Sequence, residues 1–136
     1  MKIYIAKDAG YCFGVRDAVN MAYDAAADHG EVYMLGTIVH NERVIENLNN
    51  AGAKVVKKID EVPDGKTLLF RAHGTSPKLW EEAKKKNINL VDGTCPLVTE
   101  IHHEIKLLQK EGRKTIIIGD HGHDEVVAIA AQVEKH

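Results

Sequence analysis

The stretch KTLLFRAHGTSPKLW, residues 66–80, contains the pattern that decides the fold. Its apolar run predicts a strand over 67–71, the loop that follows carries His73, and the spacing beyond it predicts a helix over 77–86. The same order, a strand-like run, a reactive side chain and then a helix-like pattern, recurs at His40 in LGTIVHNERVIENL, His123 in IIIGDHGHDEVVAIA, Cys12 in AGYCFGV and Cys95 in LVDGTCPLVT. This repetition favours parallel βαβ units.

The apolar periodicity of the whole chain agrees with an α/β fold. Strands are predicted over 2–6, 31–36, 67–71, 89–91 and 114–118, and helices over 14–28, 41–51, 77–86, 97–111 and 124–133. The fourth helix is the clearest, because Val98, Ile101 and Ile105 lie on one apolar stripe and Pro96 suits the first helical position. We therefore expect a mostly parallel sheet flanked by helices. Residues 1–96 are expected to form a first α/β domain, and 97–136 the incomplete beginning of a second.

Composition and charge exclude several function classes. The chain has 136 residues, a net charge of −2 and an isoelectric point near 6.4, and no stretch is densely basic, which argues against a nucleic-acid partner. No apolar run approaches the ~20 residues of a membrane helix, and the N-terminus lacks the pattern of a secretory signal. The two cysteines, far apart in sequence, do not form a secreted-type disulfide framework. We expect a cytoplasmic protein without a membrane or nucleic-acid partner.

Five reactive side chains are predicted to share one edge of the sheet. Ligands of open parallel sheets bind beyond the carboxyl ends of the strands. The predicted site therefore consists of Cys12, His40, His73, Cys95 and His123. Glu125 follows His123 closely and is the candidate proton donor or acceptor. The histidines at positions 29, 102, 103 and 136 are predicted to be surface residues.

Cys12 in AGYCFGV, residues 9–15, lies where a predicted strand gives way to a helix. A helix N-terminus favours the thiolate, which binds metals and attacks electrophiles. The flanking Gly10 and Gly14 leave room for something to approach the backbone closely. The simpler interpretation is a small buried cysteine that fills space.

Several kinds of chemistry fit this set of residues. Zinc held by Cys12, Cys95 and two histidines is one, although the usual zinc-ligand spacings are absent from the sequence. An iron–sulfur cluster is another, but such clusters normally take four thiolates, so a further cysteine must come from elsewhere. A redox disulfide between Cys12 and Cys95 is a third. Helix N-termini at the same edge also suit a diphosphate.

The motifs AGYCFGV, VHN, AHGTSP, DGTCPLVT and GHDEV, in this order and spacing, resemble those of the LytB family of 4-hydroxy-3-methylbut-2-enyl diphosphate reductases. The resemblance implies that Cys12 and Cys95 ligate a 4Fe–4S cluster whose third cysteine is not in this chain. It implies that His40, His73 and His123 bind the substrate and its diphosphate, and that Glu125 delivers a proton. The reaction so implied removes the substrate hydroxyl as water and gives isopentenyl and dimethylallyl diphosphates, in the non-mevalonate route to isoprenoids.

The resemblance also shows where this chain departs from the family. Members have three similar α/β domains, so the chain is expected to be an N-terminal fragment, inactive alone, of an enzyme that uses an allylic diphosphate and a ferredoxin- or flavodoxin-type electron donor. The family's usual His-Pro-Glu-Val-x-Gly reads HDEVVA at 123–128, which is expected to loosen the helix start and crowd the pocket. The alternative is a natural short relative, truncated or degenerate, that binds a metal or diphosphate without turnover.

Overall fold

A parallel sheet carries the architecture, and the computed structural model describes residues 1–7 and 9–133. The four strands, in spatial order β2-β1-β3-β4, are β1 (Val32–Leu35), β2 (Ala53–Val56), β3 (Thr67–Phe70) and β4 (Asn89–Asp92). The helices are α1 (Phe13–His29), α2 (Glu42–Asn50), α3 (Pro77–Lys85), α4 (Pro96–Lys110) and α5 (Asp124–Ala130), with a 3₁₀ turn over Ile59–Glu61. The predicted α/β class with a mostly parallel sheet is confirmed.

The two central strands are buried along their whole length, as their apolar runs predict. Alternate side chains of β1 enter two apolar clusters on opposite faces of the sheet. Met34 packs with α1 and α2 on one face, whereas Tyr33 packs with α3 and the 3₁₀ turn on the other. Helices therefore cover both faces, and the carboxyl ends of all four parallel strands meet at one edge.

Strand β2 was not predicted from the sequence. It pairs in parallel with β1, from Val32 opposite Ala53 to Leu35 opposite Val56, at one border of the sheet. Lys54 is exposed and Val55 is only partly buried, because one side of a border strand faces solvent. A short strand with this half-polar composition gives a weak sequence signal.

Two of the predicted strands are wrong. Within the described part of the chain, neither 2–6 nor 114–118 pairs with another strand. Ile3 is 74% exposed and Ile5 84%, and Ile116 and Ile118 are 86% and 95% exposed. Both segments have strand-like sequences, but a strand is stabilised by its cross-strand neighbours rather than by its own propensity.

The predicted helices are all present with small changes at their ends. Helix α4 begins at Pro96 as expected, and α5 ends at Ala130 rather than at 133. After α5, Gln132 Nε2 donates to the carbonyl oxygen of Thr75 at 3.3 Å, which joins the end of the described chain to the loop after β3. No helix in the described residues is both long and apolar enough to cross a bilayer. The division into domains at residue 96 stays a prediction.

Candidate functional site

Three histidines from three separate loops converge at the carboxyl edge of the sheet. The ring centroids of His40 and His73 are 5.2 Å apart, and that of His123 lies 6.1 Å from His40 and 5.9 Å from His73. His40 immediately precedes the N-cap of α2, His73 follows β3, and His123 is the N-cap of α5. The parallel topology explains the approach of His40 and His73, which follow β1 and β3. His123 was predicted to follow a strand as well, but it reaches them from a segment that is not a strand in the described chain.

His73 is the most enclosed of the three. Burial lowers its pKa, and the charges of Arg71 and His40 lower it further, although Asp124 and Glu125 act in the opposite direction. The lowered pKa favours the neutral form of the imidazole. Its Nδ1 atom is buried and has no hydrogen-bond partner in the described part of the chain. A buried polar atom of this kind is uncommon in a folded protein and indicates a place where a ligand group can bind.

An ion pair that the sequence analysis missed lies beside the histidines. Arg71 Nη1 lies 2.6 Å from Asp124 Oδ2, and both side chains are partly buried. Gly36 makes room for the guanidinium, because a Cβ atom built on that glycine lies 2.6 Å from Arg71 Nη1. The arginine next to AHG at the end of β3 was the available sequence signal, but its partner is far away along the chain.

The start of α5 is held by two interactions. His123 Nδ1 accepts a hydrogen bond from the backbone N–H of Glu125 at 3.3 Å. Asp124 forms an ion pair with Arg71. The expected loosening of the helix start is therefore offset by a cap and an ion pair. Glu125 itself is partly buried, and its charge raises the pKa of both His73 and His102 against the larger effect of burial.

The two cysteines occupy equivalent positions on neighbouring helices. Cys12 is the N-cap of α1 and Cys95 the N-cap of α4, and neither side chain caps its own helix. Both thiols are free, so the disulfide considered from the sequence is not formed. A Cβ atom added at Gly14 overlaps Cys95 Sγ, so glycine is needed there for the thiol to lie against the first turn of α1. Because Cys12 is exposed, the space-filling interpretation of that residue is wrong.

The thiols and the histidines do not form a single metal-binding group. Among the described residues, the histidine, cysteine and acidic side chains close enough to share an ion are His40, His73 and Asp124. A zinc site built from both cysteines and two histidines is therefore not supported. The cysteines alone are soft ligands at two adjacent helix N-termini, where backbone N–H groups favour negative charge. This donor set fits two ligand positions of an iron–sulfur cluster.

Two cavities of the described chain lie beside histidine residues. A cavity of about 420 Å³ opens beside His40 and is lined by residues of 37–45, without His73 or either cysteine. Another, of about 460 Å³, lies between α3 and α4 and is lined in part by Trp80, Lys84 and His102.

The remaining histidines only partly match their predicted surface positions. His29 and His103 are exposed as predicted, and His136 lies outside the described residues. His102 is partly buried, which lowers its pKa, and its Nε2 has no hydrogen-bond partner in the described chain. Its ring packs against Gly74, where a Cβ atom lies 2.6 Å from His102 Cε1. The surface prediction for His102 is therefore wrong.

The chain is similar to known proteins over almost its whole length. Residues 3–136 match the family model described as LytB protein. The 4-hydroxy-3-methylbut-2-enyl diphosphate reductase of Geobacter metallireducens is 40% identical over 131 residues, which cover 96% of this chain and 46% of the relative. The reductase of the same name from Actinobacillus succinogenes is 40% identical over 136 residues, covering 99% of this chain and 43% of the relative.

Two solved structures share the fold over almost the whole chain. The E-1-hydroxy-2-methyl-but-2-enyl-4-diphosphate reductase of Plasmodium falciparum superposes with a TM-score of 0.89 and 35% identity, covering 93% of this chain and 40% of that one. A solved (E)-4-hydroxy-3-methyl-but-2-enyl diphosphate reductase has a TM-score of 0.83 and 34% identity, covering 96% of this chain and 46% of that one. The chain thus spans less than half the length of the proteins it matches. Since the family match extends from residue 3 to residue 136, the chain belongs to the LytB family.

Proposed function

We propose that this chain is the N-terminal part of a 4-hydroxy-3-methylbut-2-enyl diphosphate reductase and supplies part of its active site. The observation that carries the proposal is the convergence of His40, His73 and His123 at the sheet edge, with ring centroids 5.2 to 6.1 Å apart. In the proposed reaction two electrons and two protons remove the substrate hydroxyl as water. The carbon skeleton leaves as isopentenyl or dimethylallyl diphosphate.

Cys12 and Cys95 are proposed to hold a 4Fe–4S cluster together with a cysteine from outside this sequence. When bound, such a cluster would supply the electrons and a Lewis-acidic iron for removal of the hydroxyl. Their free thiols support this role, as do their positions at two helix N-termini and the close approach that Gly14 allows. A ferredoxin- or flavodoxin-type protein in the cytoplasm is the proposed electron donor.

The three histidines are proposed to bind the diphosphate of the substrate. A neutral imidazole offers one N–H donor and one acceptor, and the unpartnered Nδ1 of His73 is available for a phosphate oxygen once it carries the proton. Because the rings come from three loops, their donors approach one anion from different directions. This geometry supports orientation of the substrate rather than proton transfer.

Glu125 is proposed to deliver a proton to the substrate. It is partly buried in the first turn of α5, next to His123 and close enough to His73 to affect its pKa. A carboxyl group in this position can hold a proton near the bound substrate and be reprotonated from solvent. The loops that carry His40 and His73 keep the diphosphate end of the substrate in place.

The experiment that tests the proposal uses the full-length protein, reconstituted without oxygen. We expect Cys12→Ser and Cys95→Ser to lose both the visible absorption of the cluster and the turnover with a reduced dye. Glu125→Gln keeps the absorption and loses most of the turnover, since it removes only the proton source. The 136-residue chain alone is expected to hold little stable cluster and to show no turnover, because it contains two cysteines.

The outcomes separate the proposal from a binding domain without turnover. Full activity of the Glu125→Gln enzyme would remove Glu125 from the mechanism. Unchanged cluster absorption in both cysteine variants would show that the cluster ligands lie elsewhere. Robust turnover by the 136-residue chain would contradict its assignment as a fragment.

A further inference from the structure

We infer that His40, His73 and Asp124 form a binding site for a divalent transition-metal ion, best matched by Zn²⁺. One ligand atom from each of the three side chains lies within 4.8 Å of the other two. They come from the loop before α2, the loop after β3 and the first residue of α5. The site is thus assembled by the fold and not by a local sequence motif.

The donor set selects the class of ion. Two imidazoles and one carboxylate suit zinc and its neighbours, whereas magnesium and calcium prefer oxygen ligands throughout. Zinc bonds of ~2.0–2.2 Å place tetrahedral ligand atoms roughly 3.4 Å apart, so small side-chain rotations close the site around an ion. Two histidines and a carboxylate with one open position are a known catalytic zinc arrangement.

The surroundings of the three ligands resemble the outer shell of a metal site. Arg71 Nη1 holds Asp124 Oδ2 at 2.6 Å and leaves Oδ1 for an ion. Metal-binding carboxylates are themselves usually hydrogen-bonded in this way, which fixes their orientation. Gly36 accommodates the guanidinium, and the Nδ1 atom of His73 is buried without a partner among the described residues. The Asp124 carboxylate is therefore held in place before any ion binds, and the imidazoles need only small rotations to reach the ion.

Charges of both signs lie beside the site. The charges of Arg71 and His40 lower the pKa of His73, whereas the carboxylates of Asp124 and Glu125 raise it. An ion is therefore held by its three ligands and not by the surrounding charge. That the ion would then help to bind a diphosphate rests on the proposed function, but the ion site itself does not.

The test is a Zn²⁺ titration by calorimetry on the 136-residue chain carrying Cys12→Ser and Cys95→Ser. These changes remove the thiols, which would otherwise bind zinc, and also exclude an iron–sulfur cluster. We expect one Zn²⁺ per chain, with affinity weakened at least about tenfold by Asp124→Asn and by His40→Ala. The matched control His29→Ala removes an exposed histidine of α1 and is expected to change nothing. Co²⁺ in place of Zn²⁺ is expected to give visible absorption that Asp124→Asn abolishes.

Two results would overturn the inference. One is a Zn²⁺ affinity that is the same in the parent and in both ligand variants. The other is the absence of binding at ~0.1 mM Zn²⁺ in a parent chain that circular dichroism shows to be folded. Because His40 is exposed, its replacement leaves the core intact, so weakened binding in that variant is not explained by unfolding. Neither result depends on reductase activity, so the proposed function stands or fails separately.

Discussion

Two segments of this chain have nearly the same sequence pattern and different structures. Residues 66–70 read KTLLF and residues 114–118 read KTIII. The first contains β3, which is hydrogen-bonded between β1 and β4 and buried at every residue. The second pairs with no strand among the described residues, and Ile116 and Ile118 are almost fully exposed.

The difference runs against intrinsic propensity. Isoleucine is β-branched and favours strands more than leucine does, yet the leucine-containing segment forms the central strand. Leu68 and Leu69 have partners on both sides, opposite Tyr33 and Met34 of β1 and beside β4. Strand formation in this molecule therefore depends on pairing with neighbouring strands, and a strand-like sequence alone is not sufficient.

The largest expected difference between the two segments is in backbone hydrogen exchange. Amides of β3 exchange only through opening of the whole sheet, because both neighbouring strands must separate first. Their protection is expected to correspond to the global free energy of unfolding, on the order of 5 kcal/mol or more. Amides of 115–118 are expected to exchange at nearly the rate of an unfolded peptide. Strong protection of 115–118 would mean that this segment is paired in solution and that the contrast does not hold.

A matched pair of substitutions tests the difference between the two segments by comparing how much each side chain contributes to core packing. Leu68 and Ile116 hold the same place in the two patterns, but Leu68 is fully buried and Ile116 is 86% exposed. Leu68→Ala is expected to lower the free energy of unfolding by about 2–5 kcal/mol, since it leaves a cavity in the core. Ile116→Ala is expected to change it by less than about 0.5 kcal/mol. Urea denaturation followed by circular dichroism measures both, and equal losses would contradict the structure.

The same physical reasoning explains what the sequence could and could not predict. The central strands and the helices gave strong local signals, such as the proline at the start of α4 and the apolar runs of β1 and β3. The strands at 2–6 and 114–118 were predicted wrongly because the presence of a partner is not encoded within five residues. Strand β2 was missed because its half-polar sequence gives a weak signal, although it pairs with β1 along its whole length.

The same distinction applies to the candidate site, where some features could be predicted from the sequence and others could not. The approach of His40 and His73 follows from topology, because β1 and β3 are parallel and end at one edge, whereas His123 follows no strand in the described chain. The contact between Arg71 and Asp124 joins the loop after β3 to the first residue of α5, and no local sequence pattern predicts it. The partial burial of His102 likewise depends on Gly74, a residue of another loop.

Substitution of Gly14 gives a smaller test of whether contacts with neighbouring residues outweigh intrinsic helix propensity. Alanine in place of a helical glycine normally stabilises a protein by roughly 0.5–1 kcal/mol. Here the added Cβ overlaps Cys95 Sγ, so Gly14→Ala is expected to destabilise the chain by about 1–3 kcal/mol. In a Cys95→Ala background the sulfur is gone, and most of that penalty is expected to disappear. A stabilising effect in the unaltered background would show that the two helix starts are not in contact.

The smallest expected effect concerns the ion pairs between residues near the starts of β1, β2 and β3. Glu31, just before β1, pairs with Lys54 of β2 and with Lys66 just before β3, the latter at 3.2 Å. Hydrogen bonds from Lys54 and then Lys66 lower the pKa of Glu31 from 4.5 to about 2. Since the folded pKa is the lower one, the pairing contributes stability above pH 4.5, and that contribution is lost as the pH falls towards 2.

Glu31→Gln is therefore expected to lower the melting temperature slightly at pH 7, with the difference vanishing between pH 4.5 and pH 2. The effect is small because the three side chains are partly exposed, and it is expected to shrink further in high salt. Glu46→Gln on the exposed face of α2 removes the same charge without this pairing and serves as the matched control. Thermal melts of both variants across that pH range decide the point. A pH-independent difference for Glu31→Gln would mean that its carboxylate stabilises the sheet through packing and not through its charge.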